Sequence, residues 1–175
     1  MKEEINFIKT RRSKRKFLDK EVSDEMVKEL IDAARHAPLS RNCQPWEFVI
    51  VRSLELKKKL AELKEEVNQG HILGSNLIIA VCVNTEKSKY RWAEDGVCAA
   101  MNILLAAHIL GLGAVYVTGY SATDSGMTTK LKEILGLPEY IVPVSLIPVG
   151  YADPSETLEK KDLREIDNIM HFEKW

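Results

Sequence analysis

Cysteine is scarce in this chain. Cys43, Cys82 and Cys98 are odd in number, widely spaced and without a C-x-x-C pair. That excludes a disulfide framework and a zinc knuckle, and it reads as free thiols in a reducing compartment. His36, His71, His108 and His171 are scattered, with no H-E-x-x-H or comparable spacing, so no metal site is expected. Charge of one sign is not in excess either. The 25 Lys and Arg nearly balance the 26 Asp and Glu, for a net charge of -1, whereas a nucleic-acid binder usually carries surplus cations across a face. The first ten residues, MKEEINFIKT, are acidic and lack the apolar core of a signal peptide. One apolar stretch, VCAAMNILLAAHILGLGAVYV at 97–117, is interrupted by Asn102 and His108 and broken by GLG. It leaves too few helical residues for the ~20 of a membrane span. A buried helix running into a strand is expected instead, in a cytoplasmic protein with no membrane partner. No G-x-S-x-G elbow, internal repeat, low-complexity segment or linker composition is present.

What is there fits one α+β domain over 1–175, since ~150 residues per domain is usual. A short helix is expected over 3–9, with Ile5 and Ile8 inward. Ser23 is an N-cap candidate, and Val27, Leu30, Ile31 and Ala34 follow the spacing of an amphipathic helix that Pro38 ends. WEFVIV, 46–51, is a strand candidate. Ser53 caps a helix lined by Leu56, Leu60, Leu63 and Val67, with Lys57–Lys59 and Glu62–Glu66 in water. LIIAVCV, 77–83, reads as a central strand. The helix from about 91 to 110 is apolar on more than one face through Val97, Ala100, Met101, Leu104, Leu105 and Ile109, so a partner subunit could cover one of them. AVYV at 114–117 is another strand, followed by a helix near 124–135 with Gly136 at its C′ position. IVPVSLIPVG, 141–150, is a strand whose prolines suit an edge or a bulge. The tail over 151–175 is polar.

Three segments carry candidate chemistry. KTRRSKRKF packs six cations into residues 9–16. In an extended chain Arg11, Ser13 and Arg15 share one side, and Arg12, Lys14 and Lys16 the other. Two guanidiniums flanking a hydroxyl suit a phosphate. The same run is compatible with a solvated surface, or with a nucleic-acid arm or targeting signal. In APLSRNCQPWEFVIV, 37–51, Ser40, Asn42 and Gln44 are clustered in a Pro-bounded turn. Turn formation explains Pro, Ser and Asn, but the amide and indole of Gln44-Pro45-Trp46 point toward a flat polar ligand. GLGAVYVTGY, 111–120, superficially matches a dinucleotide fingerprint, yet its glycines follow a helix and precede a strand, the reverse of the Rossmann order. Gly111 and Gly113 read as a helix stop, and Gly119 as a point of close backbone approach. Glu94, Asp95 and Asp124 read as helix-end carboxylates in water, and Cys43 has no evident base.

Taken in order, RRSKRKF at 11–17, AARHAPLSRNCQPWEFVIV at 33–51, the apolar strand at 77–83, the buried helix running into LGLGAVYVTGY, LGLPE…PVSLIPVGYADP at 135–154 and the terminal HFEKW resemble the nitroreductase family of FMN-dependent oxidoreductases. The resemblance spans nearly the whole chain. It implies an α/β sandwich with a mostly antiparallel sheet flanked by helices, built as an intertwined homodimer with FMN at the interface and the tail over 151–175 wrapping the partner. By resemblance, Arg11, Arg12 and Ser13 hold the FMN phosphate and ribityl chain, and Arg15 lies at the pyrimidine edge of the ring. Pro38, Leu39, Ser40, Asn42 and Gln44 come from the partner subunit; Leu39 stands where the family often has Ser. Val117, Thr118 and Gly119 reach the N5 side. Lys161 or Arg164 completes the phosphate clamp, leaving Lys14 and Lys16 as solvated surface. Asn68 and His71 fall near positions where the family places an Asn and a Lys on the flavin.

The implied activity is hydride transfer from NADH or NADPH, through flavin N5, to a flat acceptor such as a nitroaromatic or quinone, in a ping-pong cycle with no catalytic side chain. Another FMN enzyme of the same fold, a flavin reductase or dehalogenase, is the alternative within the class. A non-catalytic nucleic-acid module using residues 9–16 is the alternative outside it.

Overall fold

The computed structural model of this chain describes residues 2–64, 66–121 and 125–175, and side chains at all of these except 66–68. The sequence readings for Glu65, Ala122 to Asp124, and the side chains of Glu66, Val67 and Asn68 lie outside the described residues.

The strands with the least polar sequences form the centre. LIIAVCVN is β2 (Leu77–Asn84), every residue buried, and it pairs antiparallel with β1 (Trp46–Val51) on one side and β5 (Ile141–Gly150) on the other. A strand buried on both faces needs a continuous apolar run rather than alternation, as this one has. On the far side of β5 lie two short strands, β3 (Gly113–Ala114) and β4 (Val117–Thr118). All the ladders are antiparallel, so the sheet expected from the resemblance is present.

Two strand readings are corrected. AVYV was expected as one strand but forms no single ladder. Ala114 pairs with Val149 and Val117 with Leu146, one continuous register with a gap between. The gap lies opposite Pro148, which accepts from the Val115 N–H at 3.3 Å but has no N–H to return. The prolines of β5 were expected at an edge or a bulge. The edge is overturned, because β5 is flanked on both sides. The bulge is present: Val81 pairs with Ser145 and Cys82 with Pro143, leaving Val144 as the extra residue.

Helices cover both faces. One face carries α2 (Asp24–Arg35), capped by Ser23 Oγ accepting from Met26 N, and α5 (Trp92–Ile109). Val27, Leu30, Ala34, Ala99, Ile103 and Ala107 pack there against Ile79, Val81 and Ile147. On the other face Leu60 of α3 (Leu54–Glu62), Ile72 of α4 (Glu66–Gly74) and Leu131 of α6 (Ser125–Leu135) pack on Ile78, Ala80 and Leu146. Ser53 caps α3 as expected. Gly136, at φ 63, ends α6 in the left-handed conformation that favours glycine.

Some helix readings also change. The single helix after Ser53 is two, α3 and α4. Lys57, expected in water, is buried; its Nζ donates to the Ser75 carbonyl at 2.7 Å and to that of Leu73 at 3.3 Å, satisfying carbonyls at the end of α4. In α1 (Lys2–Thr10), Ile5 and Ile8 point away from the core, at 52% and 54% exposure. Too little chain packs against this helix to cover them. Val97, Met101 and Ile109 of α5 are likewise exposed. The apolar sides of α1 and α5 therefore remain open within one chain.

His71 in α4 is buried, and its imidazole is held below the usual value by that burial first, then by the Arg15 guanidinium, with Glu156 opposing. His108 shifts the same way through burial and Arg11. A lowered imidazole binds fewer protons in the folded than the unfolded state, so stability is retained above the unfolded pKa of about 6.5 and lost as pH falls below it. The urea midpoint should therefore drop between about pH 7.5 and 5.5, and the drop should shrink in His71→Gln. An unchanged pH profile in that variant would rule out His71 as its source.

Close packing of α5 on the bulge of β5 gives a second expectation. A Cβ on Gly96 would lie 2.5 Å from Val144 Cγ2 and 2.9 Å from Val144 Cβ, and the branched valine has little rotamer freedom to yield. Gly96→Ala should cost about 1–3 kcal/mol by overpacking, outweighing the gain in helix propensity, read as a lower urea midpoint. Combining it with Val144→Ala should recover part of the loss; strictly additive losses would contradict the contact.

Candidate functional site

The basic run is extended, leaving α1 and passing beside β3, where the Lys14 N–H donates to the Ala114 carbonyl at 3.0 Å. It then meets the C-terminal tail. Arg12 Nη2 donates to the Glu159 carbonyl at 2.6 Å, Lys14 Nζ lies 3.9 Å from Glu156 Oε2, and Glu156 Oε1 accepts from the Arg15 N–H at 3.0 Å. Asp153 N–H donates to the Lys16 carbonyl, and Lys161 Nζ donates to the carbonyls of Arg11 at 3.1 Å and Lys9 at 3.3 Å. The tail is thus a strap over the run. It fastens through backbone carbonyls and one carboxylate, and Glu156 is drawn in until its side chain is only 8% exposed.

The strap divides the cations. Arg12 and Lys14 are engaged by it, while the side chains of Arg11, Ser13 and Arg15 make no hydrogen bond or ion pair among the described residues. The alternation expected for an extended run appears as an alternation in what is already bonded. Lys14, expected as solvated surface, is instead half-buried against Glu156. Arg11, Arg12 and Lys14 also line a cavity of about 430 Å³ whose other walls include Leu104, His108 and Leu158. Of the two tail cations, Lys161 reaches the run. Arg164 does not; its Nη2 donates to the Asn168 carbonyl within the tail.

The loop over 38–44 is built differently. Arg41, Asn42 and Gln44 all have positive φ, at 52°, 52° and 43°. Asn tolerates this region, but three such residues in four positions store strain that the surroundings must offset. Asp95, in the first turn of α5, does so. Its Oδ1 accepts the Ser40 N–H at 3.1 Å, its Oδ2 accepts the Ser88 hydroxyl at 2.6 Å, and its carbonyl accepts Trp46 Nε1 at 3.1 Å. Cys43 Sγ stands 4.0 Å from Oδ2. Asp95 was expected to solvate a helix end; it is buried because three segments converge on it. Pro38, Asn42 and Gln44 are exposed, and Leu39 and Ser40 half-buried. No described hydrogen bond or ion pair joins this loop to the basic run. Within one chain the two halves of the expected site are separate.

Between them sits the segment after β4. Gly119 N–H donates to the Val144 carbonyl at 2.8 Å, and a Cβ there would lie 2.8 Å from Pro143 O, Ser145 N and Val144 C. The close approach that demands glycine is thus to the β5 bulge, and this N–H is committed. Val117 is buried and Thr118 exposed. Lys64, buried after α3, donates to the Thr118 carbonyl at 2.6 Å and to Met127 Sδ at 3.4 Å. Burial lowers its pKa by penalising the charged form. Tyr120 packs edge-on to Trp92, ring centroids 5.1 Å apart, joining this segment to the start of α5.

Asp95, Glu156 and Lys64 were not found by sequence reasoning. Asp95 lies 55 residues from Ser40 and 49 from Trp46, and Glu156 lies 141 from Arg15, and no local spacing signals such partners. Among the described residues no cluster of His, Cys, Asp or Glu is placed to hold a metal ion, and no helix is long and apolar enough to cross a membrane.

Comparison with known proteins places this arrangement. The model described as "Nitroreductase family" matches residues 8–72 and 62–151. A relative from Methanothermobacter thermautotrophicus, provisionally named NADH dehydrogenase/NAD(P)H nitroreductase, is 38% identical over 98% of this chain and 87% of its own. The solved structure of an FMN-dependent nitroreductase from Clostridium difficile is 30% identical and superposes with a TM-score of 0.83 over 98% of this chain and 99% of its own. A nitroreductase from Desulfovibrio desulfuricans, solved in complex with FMN, is 26% identical with a TM-score of 0.79 over 98% and 96%. With a sequence match along most of its length and the same fold throughout, the chain belongs to the nitroreductase family.

Proposed function

We propose that the protein is an FMN-dependent oxidoreductase that takes electrons from NADH or NADPH and passes them to a flat acceptor such as a nitroaromatic or a quinone. The observation that carries this reading is the set of unengaged donors on the basic run. Arg11, Ser13 and Arg15 offer two guanidiniums and a hydroxyl with no hydrogen-bond or ion-pair partner among the described residues, on a backbone that the tail already holds in place. Forked guanidinium donors match a phosphate, and a pre-fixed backbone reduces the ordering cost of binding it. The residues present therefore fit the flavin nucleotide.

In this reading Arg11, Ser13 and the remaining donors of Arg12 take the phosphate end. Lys161, seated on the Arg11 carbonyl, completes the clamp in preference to Arg164. Arg15 lies at the pyrimidine edge, where its positive charge favours electron uptake by the ring. His71, neutral through burial and the nearby Arg15, adds no second cation there. Val117 and Thr118 line the N5 side, with Lys64 and the Gly119–Val144 bond fixing their backbone. When bound, the flavin supplies hydride chemistry at N5, and the protein binds, orients and excludes water. Donor and acceptor use one site in turn, in a ping-pong cycle.

Pro38, Leu39, Ser40, Asn42 and Gln44 come from a second copy of the chain. That assignment accounts for a strained, well-braced loop with no bond to the basic run of its own chain. It also accounts for the open apolar sides of α1 and α5, and for Ile166, Phe172 and Trp175 standing exposed on the tail. The nucleic-acid alternative is weakened because two of the run's cations are already engaged by the strap.

Purified protein should be yellow, bleach on adding NADH or NADPH without air, and run as a dimer by light scattering. Colourless protein that takes up no added FMN would overturn the reading. Arg11→Ala should weaken FMN binding on the order of tenfold or more, as expected for a lost charged hydrogen bond, measured by flavin fluorescence quenching. Lys161→Ala should weaken it measurably, while Arg164→Ala leaves it near wild type.

A further inference from the structure

A second cationic site lies away from the basic run. The turn between β2 and α5, with the strained loop beside it, encloses a cleft of about 460 Å³, within the range of small-ligand sites. Arg41, Lys87, Lys89 and Arg91 line it together with Ser40 and Tyr90, and no carboxylate does. Of the carboxylates nearby, Asp95 accepts from Ser40 and Ser88, and Glu94 holds one arm of Arg91 at 3.0 Å, while Glu86, the residue before Lys87, is exposed.

The turn is built rather than loose. Asn84 Oδ1 accepts the N–H groups of Glu86 at 2.9 Å and Lys87 at 3.2 Å, and the Asn84 carbonyl accepts the Ser88 N–H at 3.1 Å. Ser88 is buried on Asp95, while Lys87, Lys89 and Arg91 to either side of it are exposed. Four cations are thereby gathered on a fixed frame despite their mutual repulsion. Tyr90 adds an aromatic ring left 80% exposed, with Lys89 Nζ 5.6 Å from its centroid. An uncovered ring among cations of which only Arg91 has a described carboxylate partner suits a nucleotide: the ring stacks on a base, and the cations meet phosphates.

The cleft also adjoins the elements assigned to the flavin. Ser40 belongs to the loop proposed to touch the flavin held by the other copy of the chain, so the cleft borders that copy's site. We infer that this cleft seats the phosphate-bearing adenosine arm of the nicotinamide dinucleotide donor, with Lys87, Lys89, Arg41 and Arg91 on its phosphates and Tyr90 on its base. The inference rests on the oxidoreductase reading and names the residues that set the choice between NADPH and NADH. Those two donors share a pyrophosphate, and only NADPH adds a 2′-phosphate.

The test uses FMN-loaded protein and the double variant Lys87→Ala/Lys89→Ala, with Tyr90→Ala as a second variant that keeps every charge. Anaerobic stopped-flow reduction should show the apparent Kd for the donor rising by roughly tenfold, the change expected for losing charge-assisted phosphate contacts. FMN content and the limiting reduction rate should stay near wild type. Loss confined to NADPH assigns the cations to the 2′-phosphate, and equal loss for both donors assigns them to the pyrophosphate. Calorimetry with 2′,5′-ADP and with ADP-ribose reads the same cleft without turnover: wild type should bind at least one of them, and the double variant neither. The inference is overturned if neither donor's Kd moves by more than about twofold, or if both probes bind the variant as they bind wild type. If neither donor reduces the wild-type flavin, the proposed function fails instead, and the calorimetric result alone still decides the cleft.

Discussion

The buried carboxylate of Asp95 is the constraint on which the loop at 38–44 and the turn at 84–91 depend. Its oxygens tie the loop at Ser40 to the turn at Ser88, and its carbonyl anchors the Trp46 indole at the head of β1. A charge taken out of water is costly unless hydrogen bonds meet it, and the segments at Ser40 and Ser88 supply them only in one relative arrangement. The strain of Arg41, Asn42 and Gln44 in the left-handed region is sustained by that same set of bonds. Carboxylate, strained loop and cationic turn thus form one unit on the start of α5.

The basic run is organised by the opposite device. There the chain gathers cations, and the tail relieves part of their repulsion with Glu156 and the Glu159 carbonyl, while its own Lys161 is seated on the carbonyls of Lys9 and Arg11. What remains unpaired, at Arg11, Ser13 and Arg15, is what a doubly charged phosphate and an electron-rich ring edge would require. The two sides meet the sheet at the β5 bulge, where Gly96 and Gly119 both let backbone approach Val144 too closely for any side chain. The extra residue that breaks the β2–β5 ladder is therefore also what brings α5 and the segment after β4 into place.

Much of this was legible in the sequence. The unbroken apolar run of β2, the Ser23 and Ser53 caps, Gly136 as a helix stop and the alternation within RRSKR depend on neighbours a few residues away, and all appear in the fold. The readings that failed share a different property. Lys57 reads as a wet helix position because its partners, the carbonyls of Leu73 and Ser75, belong to the next helix. AVYV reads as one strand because the interruption comes from Pro148, on another strand. Ile5 and Ile8 read as inward because periodicity reports an apolar face without saying which molecule covers it.

By itself, then, the sequence determined the central strands, the capped helix starts and the family. Those follow from local periodicity, from composition and from motifs that keep their order along the chain. Only the tertiary structure decided which cations of the basic run are already engaged and which are left for a ligand, and that Lys161 rather than Arg164 sits beside them. It also decided that Asp95 is a buried brace and that four cations and a bare tyrosine surround one cleft. Most of those outcomes turn on an atom dozens of residues away, as with Ser40 and Asp95 or Arg12 and Glu159, where the strength of a charge or hydrogen bond is set by distance and burial rather than by spacing along the chain.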